Sequence, residues 1–199
     1  ANTPDKVDKY LDTIYSKSVL MNDLIDRLFL LSKLDLGQLE FHFERVTLSP
    51  FLADACEELQ FDYPSMEIRL DEPMPEIDVH ADTTQLHRVI NNLIDNAQKH
   101  GDNGRLAINI SVEAKGPMAV VSIRDNGPGI PDEELQRVFE SFYRGDGSRS
   151  SRTEGSGLGL SIARQIMMAH RGSISGRNLE GGFEVLLALR LANEEDSHH

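Results

Sequence analysis

Residues 92–100 read NLIDNAQKH and close a predicted amphipathic helix that begins at Asp82. Asn92, Asn96 and Lys99 fall on one face of this helix, because they are four and three residues apart. The opposite stripe is apolar and is expected to be buried. Amide oxygens are neutral ligands that Mg²⁺ accepts, and a lysine ammonium can bind phosphate. The stretch is therefore a candidate metal and phosphate site, although asparagines near a helix end also occur without such a role.

Three further motifs follow in the chain. Residues 125–130 read DNGPGI directly after a predicted strand, where a carboxylate can accept a hydrogen bond from an amine such as that of adenine. Residues 139–144, FESFYR, place two aromatic rings beside a cation. Residues 155–160, GSGLGL, open a predicted helix whose first N–H groups and dipole attract anions. Taken singly, DNGPGI is equally typical of a turn, and the two phenylalanines are expected in the core.

Other nucleotide-binding folds are disfavoured. The glycine spacing at residues 155–160 differs from the dinucleotide fingerprint, and no predicted strand abuts the segment. The chain also has no phosphate loop ending in Gly-Lys-Ser/Thr.

The first 36 residues are predicted to form one long helix, which Gly37 ends. Val7, Ile14, Met21 and Leu28 are spaced by seven, as in a helical bundle or coiled coil. Such a one-sided helix needs partner helices.

The rest of the chain alternates strands and helices. Strands are expected at 41–48, 66–70, 77–79, 106–113, 119–124, 173–176 and 183–191, and helices at 49–60, 82–100, 131–139 and 158–170. Residues 143–157 are predicted to be a mobile loop. The expected fold class is α/β, a two-layer sandwich preceded by the long helix.

The composition excludes several classes of protein. The 199 residues include 20 basic and 33 acidic ones, for a net charge of −13. Such a chain lacks the basic face that nucleic acid or an anionic membrane requires, and it has no apolar run of 18 residues to span a bilayer. Most of the excess lies in residues 40–82, with a net charge of −10, whereas residues 143–155 carry +1. Cys56 is the single cysteine, so no internal disulfide can form, and it is expected to be buried.

In their order and spacing, the four motifs resemble the catalytic domain of sensor histidine kinases, of the superfamily that includes gyrase, heat-shock-protein-90-type chaperones and MutL. Residues 92–100 match the N box, 125–129 the first glycine box, 139–144 the F box and 155–159 the second glycine box. The resemblance covers about residues 45–192 and implies the Bergerat ATP-binding fold. It further divides the chain into the second helix of the dimerisation domain at 1–40, an ATP-binding catalytic domain at 41–193 and an acidic tail with a tag remnant at 194–199.

The resemblance implies ATP and Mg²⁺ as cofactors. Asn96 is expected to be the main Mg²⁺ ligand, with Asn92 beside the metal. Asp125 is expected to hold the adenine amine, and any of Arg144, Arg149 and Arg152 is a candidate for contact with the γ-phosphate in a lid at residues 143–156. The residues expected to be catalytic are Asn92, Lys99 and Arg144. The expected ATP-binding set is Asn92, Asn96, Lys99, His100, Asp125, Gly127, Gly129, Ile130, Phe142, Arg144, Gly155, Gly157, Leu158, Gly159 and Leu160.

One departure from the pattern of the superfamily points to phosphoryl transfer rather than ATP hydrolysis. Gyrase-like ATPases carry a glutamate at the position of Asn92, and an amide cannot act as a base. Phosphoryl transfer depends mostly on positioning and charge neutralisation, and it fits a site without a base. None of the seven histidines lies in the family's acceptor motif, so this chain is expected to start after the acceptor helix and not to phosphorylate itself.

The resemblance also implies partners. In the intact protein, a histidine would receive the γ-phosphoryl group and pass it to the receiver domain of a response regulator. The protein would be a homodimer through its helical bundle, and this chain would be the cytoplasmic part of a membrane-anchored bacterial sensor, without direct membrane contact. Two alternatives stay open: a serine kinase of the anti-sigma-factor type, which the long heptad helix disfavours, and a pseudokinase scaffold, which the intact motifs disfavour.

Overall fold

A computed structural model describes residues 3–101, 106–145 and 156–192. The chain divides into two compact units, residues 1–39 and residues 40–199. Within the described ranges, no helix has the length and apolar character needed to cross a membrane.

The first unit is the long helix that the sequence predicts. Helix α1 spans Thr3–Asp35, and its heptad side chains are exposed, with Ile14 at 62% and Met21 at 58%. Gly37 has φ +63° and donates to Leu34 O at 3.1 Å, while the N–H of Gln38 donates to Lys33 O at 2.8 Å. This pair of bonds is a Schellman motif, which confirms Gly37 as the end of the helix.

The second unit contains a five-stranded sheet. Its order is β2-β4-β5-β7-β6, in which β2 pairs with β4 in parallel and the other neighbours are antiparallel. A separate antiparallel pair joins β1 to β3. The strands are β1 Glu44–Thr47, β2 Glu67–Leu70, β3 Asp78–Ala81, β4 Ala107–Lys115, β5 Met118–Asp125, β6 Ser173–Leu179 and β7 Gly182–Arg190. The helices are α2 Leu48–Asp62, α3 Thr83–His100 and α4 Gly159–Ala169.

Buried and exposed side chains alternate along the central strands, and this alternation explains the two layers. Ile110, Ile123 and Val185 are register partners across β4, β5 and β7, and all three are buried. Their sequence neighbours Asn109 and Arg124 are exposed. The apolar face of the sheet and the buried stripes of the helices together form the core, as expected for an α/β sandwich.

One predicted strand starts later than expected, and one predicted helix is wrong. The strand predicted from Phe41 begins only at Glu44, because the N–H of His42 donates to the Asp82 carboxylate at 2.9 Å rather than to a neighbouring strand. The helix predicted at 131–139 is a series of turns, whose hydrogen bonds mostly join residues three apart, such as Arg137 N–H to Glu134 O at 2.8 Å. The other predicted strands and helices are present with bounds shifted by a few residues.

The predicted mobile loop at 143–157 falls largely on residues 146–155, which lie outside the described residues. The same holds for Arg149, Arg152 and Gly155 of the expected site, and for the acidic tail.

Candidate functional site

The carboxyl-terminal half of α3 carries the predicted metal and phosphate face. Asn92 is buried, with 9% of its surface exposed, whereas Asn96 is half-buried and Lys99 is exposed. The helix begins with Asp82, whose carboxylate accepts from the Gln85 N–H at 3.0 Å. This cap confirms Asp82 as the start of the helix.

Lys99 is not isolated on this face. Its ammonium lies 3.4 Å from Asp95 Oδ2, and the Tyr63 hydroxyl donates to Asp95 Oδ1 at 2.6 Å. Neither Asp95 nor Tyr63 was expected at the site, since nothing in the local sequence connects Tyr63 to a residue 32 positions later.

Positive charge converges at the end of α3. Partial burial of the His100 ring, followed by the positive charges of Lys99 and Arg144, lowers its pKa below the ordinary value. Arg144 lies 44 positions further along the chain, so the fold brings these three predicted residues within electrostatic reach of one another. Two cations beside a ring that can donate an N–H suit an anion with several negative charges.

Asp125 ends β5 with its carboxylate partly buried. Burial raises its pKa, while hydrogen bonds from the backbone N–H groups of Gly127 and Phe183 oppose that rise. The Gly127 N–H donates to Oδ1 at 2.8 Å. A Cβ at position 127 would lie 2.8 Å from the same oxygen, so glycine is needed for the carboxylate to hold this position.

Asn178 on β6 fixes the following segment. Its Oδ1 accepts from the Ile130 N–H at 2.9 Å, and its Nδ2 donates to Ile130 O at 2.6 Å and to Asp132 Oδ1 at 3.0 Å. Gly129 has φ +76°, and a Cβ there would lie 2.7 Å from Asn178 Oδ1. No local sequence pattern points to this partner, which lies 48 positions from Ile130.

The two ends of the predicted lid meet at its base. The Phe142 N–H donates to Gly157 O at 3.1 Å. Gly157 has φ +67°, and a Cβ there would lie 2.7 Å from Tyr143 O. The expectation of core packing is confirmed for Phe139, which is buried, and wrong for Phe142, which is 62% exposed with φ +63°.

The second glycine box leads into α4, which packs against α3. Leu158 is the cap residue and is buried, and its side chain forms no capping hydrogen bond. The N–H groups of the first turn, from Gly159 and Leu160 onward, therefore receive no capping bond from this side chain and suit an anion.

The donor set for a metal is also informative. Among the residues that the structure describes, no group of three or more His, Cys, Asp or Glu side chains could hold a metal ion. An Mg²⁺ ion here would take an amide oxygen such as that of Asn96 together with phosphate oxygens and water. This is the mixed coordination that Mg²⁺ commonly adopts with nucleotides, so the residues fit the ion.

Comparison with known proteins relates this geometry to one family. The model of the family described as histidine kinase-, DNA gyrase B-, and HSP90-like ATPase matches residues 81–193. The signal transduction histidine-protein kinase BaeS of Escherichia coli K12 is 33% identical over 87% of this chain. The probable sensor histidine kinase TcrY of Mycobacterium tuberculosis is 32% identical over 94% of it. The chain spans 38% and 39% of the lengths of these two relatives.

Solved structures of histidine kinases have a similar fold. The ATP-binding domain of PrrB from Mycobacterium tuberculosis is 27% identical with a TM-score of 0.62, over 76% of this chain and 98% of that domain. The histidine kinase ThkA, solved in complex with the response regulator TrrA, has a TM-score of 0.71 at 22% identity, over 96% of this chain and 53% of that one. At that identity, the ThkA match supports the fold alone.

Proposed function

We infer the function of this chain from its family, because the chain belongs to the histidine kinase-, DNA gyrase B- and HSP90-like ATPases. We propose that residues 41–193 are the ATP-binding catalytic domain of a sensor histidine kinase and that residues 1–40 are the second helix of its dimerisation domain. The convergence of Lys99, His100 and Arg144 beside the amide face of α3 carries this proposal.

Recognition of the base is assigned to the end of β5. The Asp125 carboxylate uses Oδ1 for the Gly127 N–H and would accept the adenine amine with its remaining lone pairs. Gly127 and Gly129 would leave room for the base, and Ile130 would contact it. Because burial disfavours the charged carboxylate, an amine donor there would offset part of that cost.

The phosphates would lie between α3, the lid base and the start of α4. Lys99 and Arg144 would neutralise their charge. Burial and these two cations lower the pKa of His100 and favour its neutral ring, which would donate one N–H. Backbone N–H groups of Gly157, Leu158 and Gly159 would bind phosphate oxygens. The proposed ATP-binding set also includes Asn92, Phe142, Gly155 and Leu160.

A bound Mg²⁺ would neutralise the developing charge on the phosphate oxygens. Asn96 would hold it, with Asn92 nearby. Neither amide can take a proton from water, so the site favours transfer to an acceptor over hydrolysis. The chain's own contribution would be positioning. It would hold the base, the phosphates and the metal in place for an acceptor that is supplied from outside these residues.

The acceptor in the intact protein is proposed to be a histidine, whose phosphoryl group then passes to an aspartate of a response-regulator receiver domain. The exposed heptad side chains of α1 support a homodimeric helical bundle. The names of the relatives support a histidine-directed kinase over the serine kinase and the pseudokinase scaffold. We place this chain in the cytoplasm as part of the same proposal.

Titration calorimetry with a non-hydrolysable ATP analogue tests the binding proposal. Asp125→Asn should weaken binding about 10- to 100-fold, since it removes a charge-assisted hydrogen bond. Asn96→Ala should abolish the dependence of affinity on Mg²⁺. Two control variants make the same substitutions at exposed residues, Asp54→Asn on α2 and Asn91→Ala on α3. Both should bind the analogue like the unmodified chain. If both site variants bound the analogue with the same affinity and the same dependence on Mg²⁺ as the unmodified chain, the proposal would be refuted.

A further inference from the structure

We propose that Asp95, held by Tyr63, is a positioning residue that presents the Lys99 ammonium to the phosphates of ATP. The inference rests on the proposed function, and it adds two residues to the site. Two contacts carry it: the Tyr63 hydroxyl lies 2.6 Å from Asp95 Oδ1, and Lys99 Nζ lies 3.4 Å from Asp95 Oδ2.

Tyr63 is well placed to fix the carboxylate. It is the cap residue at the end of α2, where its N–H donates to Leu59 O at 2.8 Å, and its side chain is half-buried. The hydroxyl therefore comes from a different helix than the residues it orders. Asp95 and Lys99 are four apart on α3, so a carboxylate fixed at Oδ1 presents Oδ2 to the lysine of the next turn.

Fixing Lys99 should increase affinity for phosphate. A lysine side chain has four flexible carbons and loses much rotamer freedom when its ammonium binds a ligand. An ammonium already held by Asp95 has lost part of that freedom, and it has three donors, so one bond to Asp95 leaves donors for phosphate. A loss of about three- to tenfold in MgATP affinity is expected without this restraint.

The carboxylate has an opposing effect, because its negative charge also repels the polyphosphate. The two effects can be separated. Repulsion by Asp95 is present whether or not Lys99 is there, whereas positioning needs Lys99. Tyr63→Phe removes the hydroxyl that orders Asp95 and leaves every charge in place.

The experiment is a double-mutant cycle by calorimetry on the full chain, with MgATP and adenosine as ligands. Asp95→Asn and Tyr63→Phe should each weaken MgATP binding, by about three- to tenfold and about two- to fivefold, and leave adenosine binding unchanged. In a Lys99→Met background, Asp95→Asn should no longer weaken MgATP binding. Asp54→Asn, an equal change of charge on exposed α2, should match the unmodified chain.

The outcomes are distinct. Unchanged or tighter MgATP binding in both single variants would overturn the positioning role, and so would an equal loss from Asp95→Asn with and without Lys99. A parallel loss of adenosine affinity would assign the pair to the stability of the fold and overturn it as well. Failure of the unmodified chain to bind MgATP would instead refute the proposed function, and this inference with it.

Discussion

Lowering the pH from 7.5 to 5.5 should destabilise the second unit through His170, which is only 5% exposed. Its Nδ1 lies 2.8 Å from Ile166 O, and its Nε2 accepts from the Asp82 N–H at 3.0 Å. These partners require a neutral ring with the proton on Nδ1. The rings of Phe41 and Phe43 pack edge-on against it at 5.6 and 5.1 Å between centroids.

The sign and size of this change in stability follow from the pKa of the His170 ring. Burial lowers it below the ordinary 6.5, and the hydrogen bond to Ile166 and the charge of Asp82 oppose that shift. The native ring therefore stays neutral at a pH where the unfolded ring binds a proton. The stabilisation is complete above pH 6.5 and is lost as the pH falls below it. At pH 5.5 the loss is at most about 1.4 kcal/mol, or roughly 3–5 °C in melting temperature, and it reaches this limit if the native ring takes up no proton.

Urea unfolding followed by circular dichroism at both pH values measures the effect. His170→Gln keeps a group that can accept from Asp82, but it removes the titrating ring and its packing. The variant should be less stable at pH 7.5 and should lose less stability than the unmodified chain on acidification, by up to about 1.4 kcal/mol. His100→Gln controls for the other histidine whose pKa is lowered. Equal losses in the unmodified chain and in His170→Gln would refute the assignment to His170.

Three further predictions concern the lid base, the segment after β5 and the cysteine. Gly157→Ala should lower stability by about 1–3 kcal/mol and weaken MgATP binding, whereas Gly181→Ala, with φ +75° but no atom within 4 Å of the added Cβ, should cost less in thermal unfolding. Asn178→Ala should lower stability by about 1–2 kcal/mol and weaken binding of adenosine, because Ile130 loses both of its hydrogen bonds to the side chain. Burial raises the pKa of Cys56 to about 11, so a disulfide reagent at pH 8 should react slowly with native protein and rapidly in urea.

The sequence predicted the parts of the fold and site that depend on short-range patterns. The heptads of α1 and the amphipathic stripe of α3 repeat within a few residues, and both helices are present with close bounds. Gly129 and Gly157 belong to motifs that the sequence marks as candidate binding segments, and both have positive φ. Such signals are local, so one sequence is enough to read them.

Contacts between distant segments could not be predicted. Asn178 contacts Ile130 across 48 positions, and His170 contacts Asp82 across 88. In each pair, the local pattern fits an ordinary exposed or cap residue, and only the packed fold supplies the partner. The same limit explains Phe142, where an aromatic residue was expected in the core although the closure of the lid base turns it outward.

Transfer of label from γ-labelled ATP to a separately supplied acceptor helix tests the central claim most directly. The acceptor would be the dimerisation domain of a related sensor histidine kinase, with a variant lacking its acceptor histidine as control. The proposed mechanism predicts a bond between an imidazole nitrogen and the γ-phosphorus, release of ADP, and label that is lost in acid and retained in base. Acid-stable label on serine, or ATP binding without any transfer to the histidine, would contradict it.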